Sequence, residues 1–549
     1  MPEYDYLIAG AGIAGLYTTY KLHKHFPSAR ICVLEASNQI GGRLHTINYD
    51  NTIFDAGGAR FNNEQKRILA LIKELGLQRK QIPINSDIKY IPINPKYDSK
   101  LEELFPTIDD FILDVQKHIR QNKITQSALL KTTLADFALA HYGKTHPTIK
   151  NYITSIYPYY SELAILNALE GLNLFTNEFS KKVQYYILAG GMQQLALVIY
   201  DHLKKSSNID IHINTPLESI TRNEDGSCNA PTSSAQQAVG IYSIMTSKGE
   251  YRTKQIILAL PKSALSTIKY LMHNKSIARM INSIQTEPLY RIYARYPLDK
   301  ETGKVWFSDV PKIATNLPIK YIIPMNYEKG LIMISYTDAK YAKYWMQQLA
   351  NDKFEDILTK QLKQVFPDKN IPKPKWYKHY YWNAGAGYWK PGYSRIDIMP
   401  QMINPFRNEE RIYICGENYS SHQAWVEGAL ETADMVLNKI IGVGDGDKKT
   451  KKAKKTKKAM HSYNQYQDGG KQKIYTMAEV AKHNKKTDAW IVIDGIVADI
   501  TNWIPKHPGG DIIMKGVGKD ASKLFHSIGH DEIAKKILKK YKIGVISNK

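Results

Sequence analysis

Three glycines and a glutamate near the N-terminus, and two histidines near the C-terminus, have the types and spacing to do chemistry. Gly10, Gly12 and Gly15 form G-x-G-x-x-G directly after the apolar run 4–9 and before a helical pattern that reaches Pro27. Glu35 ends the next apolar run, 20 residues after Gly15. This is the pattern of a βαβ unit that binds a dinucleotide. Gly10 permits the tight turn, Gly12 lets a pyrophosphate approach the backbone, and Gly15 lets helix pack on strand. The helix N-terminus, with Ile13 and Ala14, faces phosphate. Glu35, followed by Ala36, meets the ribose hydroxyls. At the other end, KHPGGDIIMKGVGKDASKLFHSIGH places His507 at a Pro-Gly-Gly turn and His530 just past a helical pattern ending at Gly529. Ile512, Ile513, Val517, Leu524 and Phe525 lie between them. Two imidazoles across an apolar cavity suit a haem iron with both axial positions filled, which transfers electrons and leaves no position for oxygen. His526 is the alternative axial ligand. His526 and His530, four apart, also have a spacing that binds zinc on a helix, but Gly529 interrupts that helix and no third ligand is evident.

These residues need scaffolds, and the chain has room for several. At 549 residues it fits two to four domains, and its 43% hydrophobic content is ordinary for a globular protein. MPEYDYLIAG enters a strand at once, so neither a signal nor a transit segment is expected. No run approaches about 18 apolar residues, so no membrane span is expected. Cys32, Cys228 and Cys415 have no ligand-like spacing, which fits a reducing, cytoplasmic compartment without structural zinc. The net charge of +23 comes partly from eight lysines within Lys448–Lys458. Residues 443–473 around them hold almost no apolar side chains and are expected to form a disordered linker. Its lysines read first as a solvated spacer, then as a nuclear address or an anchor on anionic surfaces. No nucleic-acid partner is called for, and oligomeric state is not encoded in any pattern. The linker separates a large region, 1–442, from a compact tail, 474–549.

Beyond Glu35 comes ASNQIGGRLHT, with Gly41, Gly42 and Arg43. Here the sequence resembles the flavin-containing amine oxidase family (monoamine, polyamine and L-amino acid oxidases), in which the arginine of a GGR-x-x-T element helps hold FAD. The resemblance continues in TIFDAGGARF, with Gly57, Gly58 and Ala59 beside the flavin. It continues in LAGGMQQLALVIYDHL and NTPLESI, which contains Leu217, and in IILALPKSAL. It ends in RIYICGENYSSHQAWVEGALETADMVL, with Gly416, Glu417 and Val426. The amine oxidase fold is implied: an α/β, Rossmann-like, doubly wound FAD-binding domain from about 1–80, 186–265 and 400–442, and a mixed α+β substrate domain from about 81–185 and 266–399. FAD is implied to be non-covalent, because Gly385-Ala386-Gly387-Tyr388 lacks the flavin-linking cysteine of monoamine oxidases.

The family oxidises a C–N bond: an uncharged amine gives a hydride to flavin N5, and the imine hydrolyses. Arg60 stands where an arginine of the L-amino acid oxidase branch pairs with the substrate carboxylate, which makes an L-amino acid the expected substrate. Trp425 takes the place of an aromatic that flanks the flavin, and Tyr388 and Trp389 are candidates for the opposite wall. Where the family has a lysine bound through water to N5, the nearest match is Arg291. It can orient water but not act as a base.

The tail resembles cytochrome b5 over nearly its full length, in YTMAEVAKHN, AWIVIDGIVADIT, HPGG, DASKLFHSIGH and KIGVI. That implies a small α+β domain holding haem b between His507 and His530. It departs from the acidic docking face of that family, with 13 Lys against 8 Asp and Glu in residues 474–549, a net +5. The departure favours a partner in the same chain. The expected function is FAD-dependent oxidation of an amine, an L-amino acid first, with electrons passing to the haem and on to an external acceptor. The alternatives are a polyamine or monoamine oxidase that reduces oxygen to hydrogen peroxide, a chromatin-associated flavoprotein addressed by the lysine run, and an electron-transfer protein without amine chemistry.

Overall fold

The computed structural model describes residues 3–85, 87–179, 183–223, 240–350, 353–407, 410–442, 473–504, 507, 510–527, 538 and 541–547. The chain divides into two compact units, Met1–Gly444 and Asp445–Lys549. The lysine-rich tract read as a linker lies outside the described residues.

The first unit contains a five-stranded parallel sheet in the order 209–212, 31–34, 6–9, 256–258, 412–414. Its inner strands are unbroken apolar runs because both faces are covered. Alternate side chains leave on opposite faces. Tyr6, Ile8, Ile31, Val33 and Ile257 pack against helices Ile13–His25, Gln194–Leu203 and Val426–Ile441. Leu7, Ala9, Cys32, Leu34, Ile256 and Leu258 pack the other way, with Ile220, Tyr242 and Ile244 of a second sheet. That sheet runs 3–4, 249–253, 241–246, 217–223 and is antiparallel except at its first pair. This second face therefore carries mainly sheet and short helices, not the helical layer expected of a doubly wound arrangement.

A six-stranded sheet follows the order 376–389, 284–295, 331–338, 321–326, 313–315, 89–91, antiparallel except at the last pair. Helices between Lys100 and Asn177 share a core with it through Tyr321, Phe111, Tyr152 and Leu163. Their ends are set locally: Thr107 and Asp110 close a capping box on helix Ile108–Gln121.

The second unit has a five-stranded sheet in the order 474–475, 542–546, 496–499, 488–493, 484–485. Asp494 and Gly495, with φ of 51° and 77°, make the two-residue hairpin between its central strands. Ile491, Ile493, Ala498, Ile504, Val517 and Phe525 form its core. Among the described residues no helix is long and apolar enough to cross a membrane.

Candidate active site

Helix Ile13–His25 begins at Gly12 with no side-chain cap and no acid in its first turn. Its end presents unpaired amides with no negative neighbour in that turn, which is how a helix receives an anion. Gly10 has φ of 104°, open to glycine at little strain. A Cβ on Gly15 would lie 1.9 Å from the Gly10 carbonyl oxygen, and one on Gly42 would lie 3.2 Å from the Gly12 Cα. The two glycine loops thus pack backbone to backbone, and the Gly41 N–H donates to the Ala11 carbonyl at 3.0 Å. The Glu35 carboxylate accepts the Ala11 N–H at 2.8 Å and the Ser37 N–H at 2.9 Å. Exposed Ala36 lies between these partners. The Asn214 and Thr215 N–H groups donate to the carbonyls of Ser37 and Glu35, each at 2.8 Å. Leu217 is thereby carried close to the same acid.

Arg43 ties the loops to the rest of the site. Its guanidinium pairs with the buried carboxylate of Glu417 and donates to the Gly385 carbonyl at 3.1 Å. Glu417 also accepts the Ala424 N–H at 2.9 Å, two residues before Val426 opens the last helix. The Gly416 N–H donates to Thr432 Oγ1 of that helix at 2.8 Å. The Gly58 N–H donates to the Arg43 carbonyl at 2.9 Å, which sets the Gly57-Gly58-Ala59 turn beside it. Residues from six separate stretches of sequence are thus joined around one cradle.

Arg60 extends from that turn into aromatic surroundings and is half-buried. Its Nη2 donates to the Tyr159 hydroxyl at 3.3 Å, and the guanidinium lies 5.1 Å from the Tyr185 ring centre and 5.7 Å from that of Trp425. Trp425, itself buried, stacks on Tyr185 at 6.2 Å. Among the described residues no carboxylate pairs with Arg60; Tyr159, Tyr321, Tyr185 and Tyr336 support its charge and raise its pKa despite the burial. Tyr388 is buried and hydrogen-bonded to Glu162. Trp389, next in the strand, is not brought to the Arg60 cluster. It is 1% exposed, its indole N–H donates to the Ser420 carbonyl at 3.0 Å, and its ring edge meets Tyr419. It shares a buried cluster with Tyr388 and Tyr419.

Arg291 is buried, donates to the Asp55 carbonyl at 2.6 Å and lies 4.4 Å from the Tyr336 ring centre. Tyr293 donates to the same carbonyl at 2.7 Å. Arg291 thus braces the strand that leads into Gly57 and Gly58. The Asp55 carboxyl accepts the Thr46 hydroxyl at 2.6 Å and the Met192 N–H at 3.0 Å; burial pushes its pKa up to about 6.

Sequence reasoning missed three buried ionisable groups, Glu162, Asp338 and Lys320. Glu162 is 6% exposed, and one of its carboxyl oxygens is buried without a partner. Burial, then the neighbouring charge of Asp338, pushes it up to about 8. Asp338 accepts the Tyr160 N–H at 2.8 Å and the Ser161 N–H at 2.7 Å. Lys320 is fully buried, donates to the Thr154 carbonyl at 3.0 Å, and is pushed down to about 7 by burial. All three sit in unremarkable sequence, so no spacing rule could have found them.

In the second unit, the His507 N–H donates to the Ile504 carbonyl at 3.3 Å and its side chain is partly exposed. His530 and Gly529 lie outside the described residues. Val517 and Phe525 are buried in the core, Ile513 packs against it, and Leu524 is exposed. His526, the alternative ligand, has its Nε2 at 2.8 Å from Asp494 on the surface.

A βαβ glycine cradle, backed by a sheet layer and followed in the chain by an arginine set among aromatic rings, defines an FAD-dependent oxidoreductase. The chain belongs to the flavin containing amine oxidoreductase family, whose pattern matches residues 13–436. Residues 476–547 match the cytochrome b5-like heme/steroid binding domain. An uncharacterized protein of Acanthamoeba polyphaga mimivirus is 24% identical over 500 residues, 80% of this chain and 94% of that one. Cytochrome B5 isoform D of Arabidopsis thaliana is 46% identical over 79 residues, 14% of this chain. The match spans 56% of that cytochrome's length. Among solved structures, a putrescine oxidase redesigned in its cofactor binding superposes with a TM-score of 0.61 at 17% identity, over 80% of this chain and 99% of its own. Wild-type putrescine oxidase bound to putrescine gives 0.60 at 16%, with the same coverage. At such identities the likeness is one of fold.

Membership implies FAD in the first unit and haem b in the second. The glycine contact at Gly12 and Gly42, the uncapped helix start and Glu35 fit a dinucleotide. The described part of the haem region, His507 with Ile513, Val517 and Phe525, fits a haem wall.

Proposed function

We propose that this chain oxidises an L-amino acid at its Cα–N bond with non-covalent FAD, and that the C-terminal domain takes up the electrons through a haem held by His507 and His530. The observation that carries the first half is Arg60: a guanidinium among phenols and an indole, with no carboxylate paired to it among the described residues. A planar guanidinium binds a carboxylate by two parallel hydrogen bonds. An α-carboxylate supplies that partner; a simple amine does not.

When bound, FAD supplies a two-electron acceptor. The cradle of Gly10, Gly12, Ile13, Ala14 and Gly15 would hold the phosphates, Glu35 the ribose, and Arg43 with Glu417 would fix the second glycine loop. Arg60 would orient the substrate by its carboxylate, while Tyr388 and Trp425 would keep water from the reacting carbon. Arg291, committed to the Asp55 carbonyl, would position the Gly57-Gly58 turn. The second half rests on the fusion of the b5-like domain to the oxidoreductase and on the basic character of that domain.

Anaerobic rapid mixing of the full chain with a panel of L-amino acids and simple amines tests both halves. The flavin absorbance is expected to bleach with L-amino acids, followed by reduction of the haem Soret band. Bleaching by simple amines alone would overturn the substrate assignment. A flavin that bleaches while the haem stays ferric for seconds would overturn the electron route.

A further inference from the structure

We infer that the aromatic cluster around Arg60 has two poles for substrate, Arg60 for its carboxylate and Glu162 for a cation on its side chain, so that the preferred substrates are basic L-amino acids. This rests on the reading of Arg60 given above and narrows its substrate class. Buried polar atoms in folded proteins almost always have partners. Three from one short segment do not: a carboxyl oxygen of Glu162 and the hydroxyls of Tyr157 and Ser161. Glu162 and Tyr157 feel the Arg60 guanidinium, and Tyr159 of the same segment is hydrogen-bonded to it. The orphan atoms and the cation without a carboxylate partner therefore belong to one place.

The neighbours of Glu162 explain why it awaits a cation. Asp338 is the nearby acid, and it has its own partners in the Tyr160 and Ser161 N–H groups. The amine of Lys320 is bonded to the carbonyls of Thr154 and Ser155 at 3.0 and 3.3 Å. Neither neutralises Glu162; burial and then Asp338 hold its carboxyl toward the protonated form, and the Arg60 guanidinium, which makes no ion pair with it, offsets this only in part. An ammonium or guanidinium placed there would satisfy the orphan oxygen and relieve the repulsion between the two acids. Tyr388, hydrogen-bonded to Glu162, connects this pole to the aromatic wall. A neutral apolar side chain would leave the carboxyl oxygen buried and unpaired, and an acidic one would bring a negative charge beside two buried carboxyl groups.

The test uses the flavin-loaded full chain and anaerobic bleaching by L-lysine, L-ornithine, L-arginine, L-leucine, L-glutamate and putrescine. The basic amino acids are expected to exceed leucine by about 100-fold in kcat/KM, the range in which an unpaired buried polar group penalises the wrong ligand. Glu162→Gln is expected to remove most of that advantage, read as a rise in KM for the basic amino acids relative to leucine measured on the same variant. Leucine equal to or better than lysine in the parent chain overturns the inference and leaves the amino acid reading standing. An unchanged preference in the Glu162→Gln variant also overturns it. Bleaching by putrescine and by no amino acid overturns both. Should the variant not hold flavin, the ranking of substrates in the parent chain decides alone.

Discussion

Arg60 keeps its charge among rings rather than acids, and the identity of its head group should matter more than its charge. Lysine at this position keeps a positive charge but loses the planar pair of donors and the stacking on Tyr185 and Trp425. Arg60→Lys is therefore expected to raise KM for L-amino acids by about 10- to 100-fold with a smaller change in kcat, read by steady-state kinetics. Asp55 offers a second test. Its carboxyl sits near 6 in the folded protein because of burial, against an ordinary value near 3.8. The folded state thus holds a proton that the unfolded chain has released, and stability falls as pH rises through that window. Both of its main donors reach the same oxygen, Oδ1, which asparagine retains. Asp55→Asn should gain stability relative to the parent by ~1 kcal/mol more at about pH 7.5 than at about pH 5, measured by denaturant unfolding. An advantage that shrinks toward alkaline pH would refute this.

At the level of helices and strands, the glycine loops carry the tightest constraint. Gly15→Ala places a methyl 1.9 Å from the Gly10 carbonyl oxygen, so helix Ile13–His25 must shift off the strand before it. Overpacking of this kind costs about 1–3 kcal/mol, and the purified variant is expected to hold far less flavin, read by the ratio of visible to ultraviolet absorbance. His507→Ala should likewise abolish the haem Soret band while leaving flavin content unchanged. These elements are the ones legible in the sequence, because a parallel strand buried on both faces must be apolar and a phosphate loop must be glycine-rich. The layer behind the parallel sheet was not legible: Leu217–Asn223 and Ile241–Thr246 alternate weakly, and nothing local says that they cover a sheet rather than pair elsewhere. Glu162 and Asp338 lie 176 positions apart in the chain and are joined by packing alone, which no motif records.

Across the whole molecule, one chain carries an oxidoreductase unit and a b5-like unit, joined through residues 443–473. Covalent linkage through about 30 residues gives an effective concentration on the order of millimolar. If the b5-like unit serves the flavin, residues 1–442 and 474–549 supplied as separate chains at about 1 µM each should reduce haem roughly 100- to 1,000-fold more slowly than the intact chain in anaerobic stopped-flow. Equal rates would mean that the tether has no part in the transfer. The parallel sheet of the first unit has a consequence for synthesis. Strand Ile256–Leu258 lies between Tyr6–Ala9 and Ile412–Ile414, so its second edge is closed only after more than 150 further residues have left the ribosome. A nascent chain arrested in that interval would carry a bare apolar edge, open to pairing with its neighbours on the polysome. Slow decoding or chaperone loss between those points should therefore lower the yield of active enzyme more than the same delay anywhere after Ile414.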